Sequence, residues 1–104
     1  MYEFDLPYDH KTMHLSLDEK NFAGLMQGHQ NEFKPNESQQ KLVEDSLDNP
    51  YGSSKLEELC AGKKDIVIIS SDHTRPVPSR VTMPILLRRI HAAAPEARVR
   101  ILVA

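Results

Sequence analysis

Asp72, His73, Thr74 and Arg75 stand side by side just after the apolar run Ile66–Ile69, separated from it by Ser70 and Ser71, and Pro76 and Pro78 follow within a few residues. An acid, an imidazole, a hydroxyl and a guanidinium in succession can bind and orient an anionic ligand. Arg75 can hold a carboxylate or a phosphate through two parallel hydrogen bonds, a geometry that a lysine cannot match. Thr74 can donate to a phosphate oxygen, and Asp72 can accept from a ribose hydroxyl or orient Arg75. His73 is an acid–base group near neutral pH. Neighbours on an extended segment point to opposite sides, so a ligand facing Asp72 and Thr74 would leave His73 facing the protein. The prolines restrict the backbone and fix where these side chains point. The plainer reading of the same residues is a turn-forming Asp72 that pairs with Arg75 at the surface.

These residues need a scaffold, and the hydrophobic pattern supplies one. Ile66, Val67, Ile68 and Ile69 are continuous and not alternating. Such a run predicts a strand buried on both faces, as in a parallel sheet. A helix follows with Ile85, Leu86, Leu87 and Ile90 as its apolar side, then the β-branched run "VRILVA". Strand, helix and strand of this kind form a βαβ, Rossmann-like unit. Ligands of open α/β sheets gather at the carboxyl ends of the strands, where residues 71–76 lie, and amides near the next helix favour an anion. The start of that helix has two solutions. Ser79 as cap places Pro84 where it removes an internal hydrogen bond, whereas Thr82 as cap places it in the first turn.

Upstream, "YEFDLPY" and "TMHLSL" alternate, with Tyr2, Phe4 and Leu6 on one face and Met13, Leu15 and Leu17 on another. Joined by "DHK", they predict a β-hairpin. Residues 20–35 lack a period and read as loop. A short helix is expected near Asn36, with Gln39 completing a capping box and Leu42, Val43 and Leu47 as its stripe. A second is expected at Ser54, with Glu57 as box partner, Leu56 and Leu59 facing inward and Gly62 as its stop. The expected fold class is therefore α/β: an N-terminal hairpin, short helices and a βαβ unit with a parallel sheet, incomplete at the C-terminus. Because the chain stops at a buried-type strand, the reading includes a fragment that continues past Ala104.

Composition narrows the function classes. The 104 residues carry 39% hydrophobic and 27% charged side chains with a net charge of -2. No basic stripe points to nucleic acid, and Arg88, Arg89, Arg98 and Arg100 read as a solvated face. No apolar run approaches the roughly 20 residues of a membrane span, and the N-terminus does not resemble a signal peptide. Cys60 is the single cysteine. It reads as a small buried hydrophobe in a reducing, cytoplasmic setting. His10 and His14 fall on a turn and a strand, so their spacing does not suit a metal. No metal ligand and no catalytic residue is assigned.

"SDHTRPVPSR", with "SLDNPYGSSKLEEL" upstream, "ARVRILVA" downstream and "YEFDLPYD" at the start, resembles the N-terminal part of the nickel-pincer lactate racemase family. The likeness spans residues 1–104, and "DHTRP" after "DIVIIS" is its most specific element. The resemblance implies that these residues form the N-terminal part of the family's N-terminal α/β domain. It implies a cytosolic enzyme that interconverts L- and D-lactate by removing and returning the α-hydrogen as a hydride. The implied cofactor is a nickel-pincer nucleotide, Ni(II)-pyridinium-3,5-bisthiocarboxylic acid mononucleotide. Carried over by residue, Asp72, His73, Thr74 and Arg75 contact the cofactor, and Arg75 also reaches the carboxylate of lactate. The family's catalytic histidines, tethering lysine and nickel ligand are expected past Ala104, in the remainder of the same polypeptide. The other readings are a non-catalytic phosphate- or nucleotide-binding α/β module and a related 2-hydroxyacid racemase or epimerase.

Overall fold

The computed structural model describes residues 1–104, which divide into two compact units, Met1–Lys34 and Pro35–Ala104. In the first, β1 (Tyr2–Tyr8) pairs antiparallel with β2 (Lys11–Leu17). Asp9 enters the turn with φ 53°; aspartate tolerates this left-handed conformation better than most residues because its short side chain bonds locally. The register sets Tyr2 opposite Leu17, Phe4 opposite Leu15 and Leu6 opposite Met13. The two apolar sets expected from alternation therefore share one face. Phe22 covers that face in part, with its ring 4.2 Å from Tyr2 and 5.5 Å from Phe4. Residues 20–35 are not all loop: short 3-10 turns occupy Glu19–Asn21 and His29–Glu32.

The second unit runs α1 (Gln39–Asp48), α2 (Leu56–Cys60), β3 (Asp65–Ser70), α3 (Ser79–Ala93) and β4 (Arg98–Val103). β3 and β4 are parallel, with Ile66 beside Val99 and Ile68 beside Ile101. Cys60, Ile90 and Ala94 form the buried centre, packed by Leu56, Ile66, Ile68, Leu86, Ala93, Ala97 and Val99. Ile90 is 2% exposed, and burying such a side chain is worth about 1.5–3 kcal/mol. The thiol of Cys60 is raised above its ordinary pKa, chiefly by burial and then by Glu57.

Several boundaries differ from the sequence reading. α1 is capped by Ser38, whose hydroxyl accepts from the Lys41 amide at 3.2 Å, and not by Asn36. α2 begins after Lys55, whose amide donates to Glu58 at 3.3 Å; Ser54 and Glu57 do not form the box. Cys60, and not Leu59, takes the inward position, and Leu59 is exposed. α3 starts at Ser79, so Pro84 lies in its second turn. The Arg80 carbonyl then lacks its intrahelical donor. Both residues face solvent, so water can satisfy that oxygen.

Two corrections are larger. β3 is covered on one face only: Ile66 and Ile68 are half-buried, whereas Val67 and Ile69 are exposed. Within this unit the helices that pack on the sheet, α2 and α3, supply partners for a single side. The arginines are not simply a solvated face either. Arg89 is buried on α3, and its guanidinium meets Glu57 on α2 and Glu44 and Asp48 on α1, the last two at 2.9 and 2.6 Å. Arg88 also bonds Glu44. Arg98 lies 2.8 Å from Asp65, with Arg100 further off at 3.7 Å.

Candidate functional site

The parallel ladder does not end with the strands. The amide of Ala104 donates to the Ser70 carbonyl at 2.8 Å, and the amide of Asp72 donates to the Ala104 carbonyl at 3.2 Å. Asp72 is thus tied to β4 at the carboxyl edge of the sheet. The chain turns there, with the Arg75 amide donating to the Asp72 carbonyl at 3.3 Å. The Val77 amide donates to Arg75 and the Ser79 amide to Val77, each at 2.8 Å, which leads the chain into α3. Pro76 and Pro78 carry no amide hydrogen, so they can fill this crowded approach without leaving a donor unpaired.

The four residues are brought together in a turn and not along an extended segment. The alternation that would set His73 opposite Asp72 and Thr74 therefore does not apply. His73, Thr74 and Arg75 are all exposed, whereas Asp72 is half-buried. One oxygen of Asp72 accepts both the Thr74 amide, at 2.9 Å, and the Thr74 hydroxyl. These bonds, from the hydroxyl first and the amide second, hold the Asp72 carboxyl below its usual pKa. The Thr74 hydroxyl has committed its proton and offers a ligand only lone pairs. Arg75 forms no ion pair with Asp72 or any other acid, and the His73 amide donates to no group of the chain. An unpaired guanidinium beside a free amide, both at the mouth of a sheet, is a donor set suited to phosphate or carboxylate.

Arg80, in the first turn of α3, is a second exposed guanidinium without an acidic partner. The sequence reading did not single it out, and its place seven residues after His73 gave no periodic signal. No three His, Cys, Asp or Glu side chains are gathered where they could hold a metal ion. His10 and His14 belong to the hairpin unit and do not converge. His14 is engaged by Glu3 at 2.6 Å and Asp5 at 2.8 Å.

A family model described as lactate racemase N-terminal domain matches residues 8–104. The chain belongs to the lactate racemase N-terminal domain family. Two relatives named lactate racemase align over all 104 residues: one from Lactiplantibacillus plantarum at 56% identity, one from Thermoanaerobacterium thermosaccharolyticum at 40%. The chain spans 24% of the length of each. A solved structure of the lactate racemase apoprotein from Thermoanaerobacterium thermosaccharolyticum superposes with a TM-score of 0.80 at 38% identity, covering 99% of this chain and 23% of that one. The α/β architecture expected from the sequence, with its hairpin, short helices and parallel strand pair, is therefore that of this family's N-terminal region.

Proposed function

We propose that the chain is the cofactor-contacting N-terminal part of a lactate racemase acting on L- and D-lactate. Family membership and the relatives' shared name support the reaction. The observation that carries the reading to residues is the unpaired Arg75 guanidinium, held on a turn tied to both strands. The proposed cofactor is the nickel-pincer nucleotide. Its phosphate suits the donors on this turn, Arg75 and the His73 amide, while Asp72 and Thr74 build the turn around them. In this reading the nickel ligands belong to side chains in the remainder of the polypeptide. When bound, the cofactor supplies an acceptor for the hydride at the α-carbon of lactate. The residues here bind and orient: Arg75 neutralises the phosphate or the lactate carboxylate and fixes its angle through paired N–H groups. A cytosolic setting belongs to the same reading and is supported by the free, buried thiol of Cys60.

The test is Arg75→Ala in the full-length enzyme. A charge-assisted contact contributes about 1.5–3 kcal/mol, so cofactor retention or turnover should fall roughly 10- to 150-fold. The circular dichroism spectrum should be unchanged, since Arg75 is exposed and bonds no side chain. Full racemisation with nickel still bound would defeat the assignment.

A further inference from the structure

We infer that Asp72 is a positioning residue: one oxygen of its carboxylate holds the turn that presents Arg75. The inference rests on the reading of residues 72–75 as a cofactor-contacting segment. The carbonyl and one carboxylate oxygen of Asp72 serve the turn, and its amide anchors the turn to the end of β4. Its amide reaches the Ala104 carbonyl at 3.2 Å, its carbonyl accepts the Arg75 amide at 3.3 Å, and its side chain takes both donors of Thr74. It is half-buried while the three residues after it are exposed. The charge argues the same way. A free carboxylate beside Arg75 would compete with an anionic ligand for the guanidinium and repel it. Two donors from Thr74 draw that charge into the turn and leave Arg75 unpaired. Asp72 and Thr74 then act as one unit that presents Arg75 to the ligand.

The test uses the full-length enzyme with Asp72→Ala, Asp72→Asn, Thr74→Val and the Ala/Val pair. Three quantities are read: amide exchange of residues 73–75 in the cofactor-free enzyme, nickel retained after purification, and turnover. Losing a bond of this kind predicts a fall of about tenfold in retained nickel for Asp72→Ala, with faster exchange across the turn. Asparagine also accepts from the amide two residues on, so Asp72→Asn should keep exchange slow and stay within ~threefold of the parent. Because the two side chains form one contact, adding Asp72→Ala to Thr74→Val should cost little more than either alone. The inference is overturned if Asp72→Asn is as damaging as Asp72→Ala with exchange unchanged, or if the two substitutions add fully. Failure of the underlying reading appears separately, as a harmless Arg75→Ala; exchange in the cofactor-free enzyme does not depend on it.

Discussion

Removing the guanidinium of Arg89 would leave Asp48 and Glu57 without their cation, and Glu44 with Arg88 alone. The Arg89 side chain is 10% exposed, whereas its partners range from 31% to 51%. Breaking a fully buried pair costs roughly 3–5 kcal/mol; with carboxylates this accessible, we expect about 2–3 kcal/mol for Arg89→Met, read from the urea midpoint. Arg89→Lys should recover only part of it, because one ammonium cannot serve carboxylates from two helices. Glu57 is held below its usual pKa, by Arg89 first, so this contribution is present above about pH 4.5 and fades on acidification through the lower folded value. In the sequence, Arg89 was one of two adjacent arginines on a helix and looked like its neighbour. Nothing local distinguishes the buried one, because its partners lie 32 to 45 residues away.

The hairpin shows what an element can encode and what it adds. Alternation grouped Tyr2, Phe4 and Leu6 on one strand and Met13, Leu15 and Leu17 on the other, and the register joins the two sets on one face. The opposite face sets Asp5 across from His14 and Glu3 across from Ser16. The imidazole bonds both carboxylates, and a neutral ring has a single N–H, so only the protonated ring can donate to both. Asp5, then Glu3, raises the His14 pKa above the ordinary 6.5. A raised folded value means that the hairpin gains stability in full below pH 6.5 and loses it as pH rises through the folded value. The His14 ring resonances should therefore titrate above the usual histidine midpoint, and His14→Gln should flatten the dependence of hairpin stability between pH 6 and 8 (a window set by ordinary histidine titration, about 6.5). A midpoint at or below the ordinary value would contradict the paired geometry. Screening by salt should weaken the effect, since the cluster is exposed.

Across the whole molecule the exposed apolar surface is the dominant feature. Val67, Ile69 and Leu102 lie on the sheet face that α2 and α3 do not cover, at 49%, 72% and 56% exposure. β3 and β4 form a two-stranded sheet, so each also keeps a free edge. Contiguous apolar surface beside an open edge favours association. The 104-residue chain by itself should bind a hydrophobic dye and self-associate as its concentration rises. Ile69→Thr with Leu102→Thr should reduce both while leaving the far-ultraviolet circular dichroism unchanged. A monomer that ignores the dye at every concentration would show that this face is not available.

The continuous run Ile66–Ile69 announced a strand made for two covers, and the following helix and β-branched run announced its parallel partner. These features are set by side-chain chemistry over a few residues, so the sequence by itself determined the main strands and helices, the hairpin and the position of "DHTR" just past a strand's end. It did not determine how those residues are used. Folding closed a turn at Asp72, and that closure drew the Thr74 hydroxyl inward and left Arg75 unpaired. It also buried one arginine of an adjacent pair against acids on two other helices, and covered one face of β3. Each of these outcomes depends on groups far apart in the chain or on which surfaces find a neighbour. Only the tertiary structure decides that, because burial and hydrogen-bond partnership are properties of the assembled surfaces and not of any local pattern.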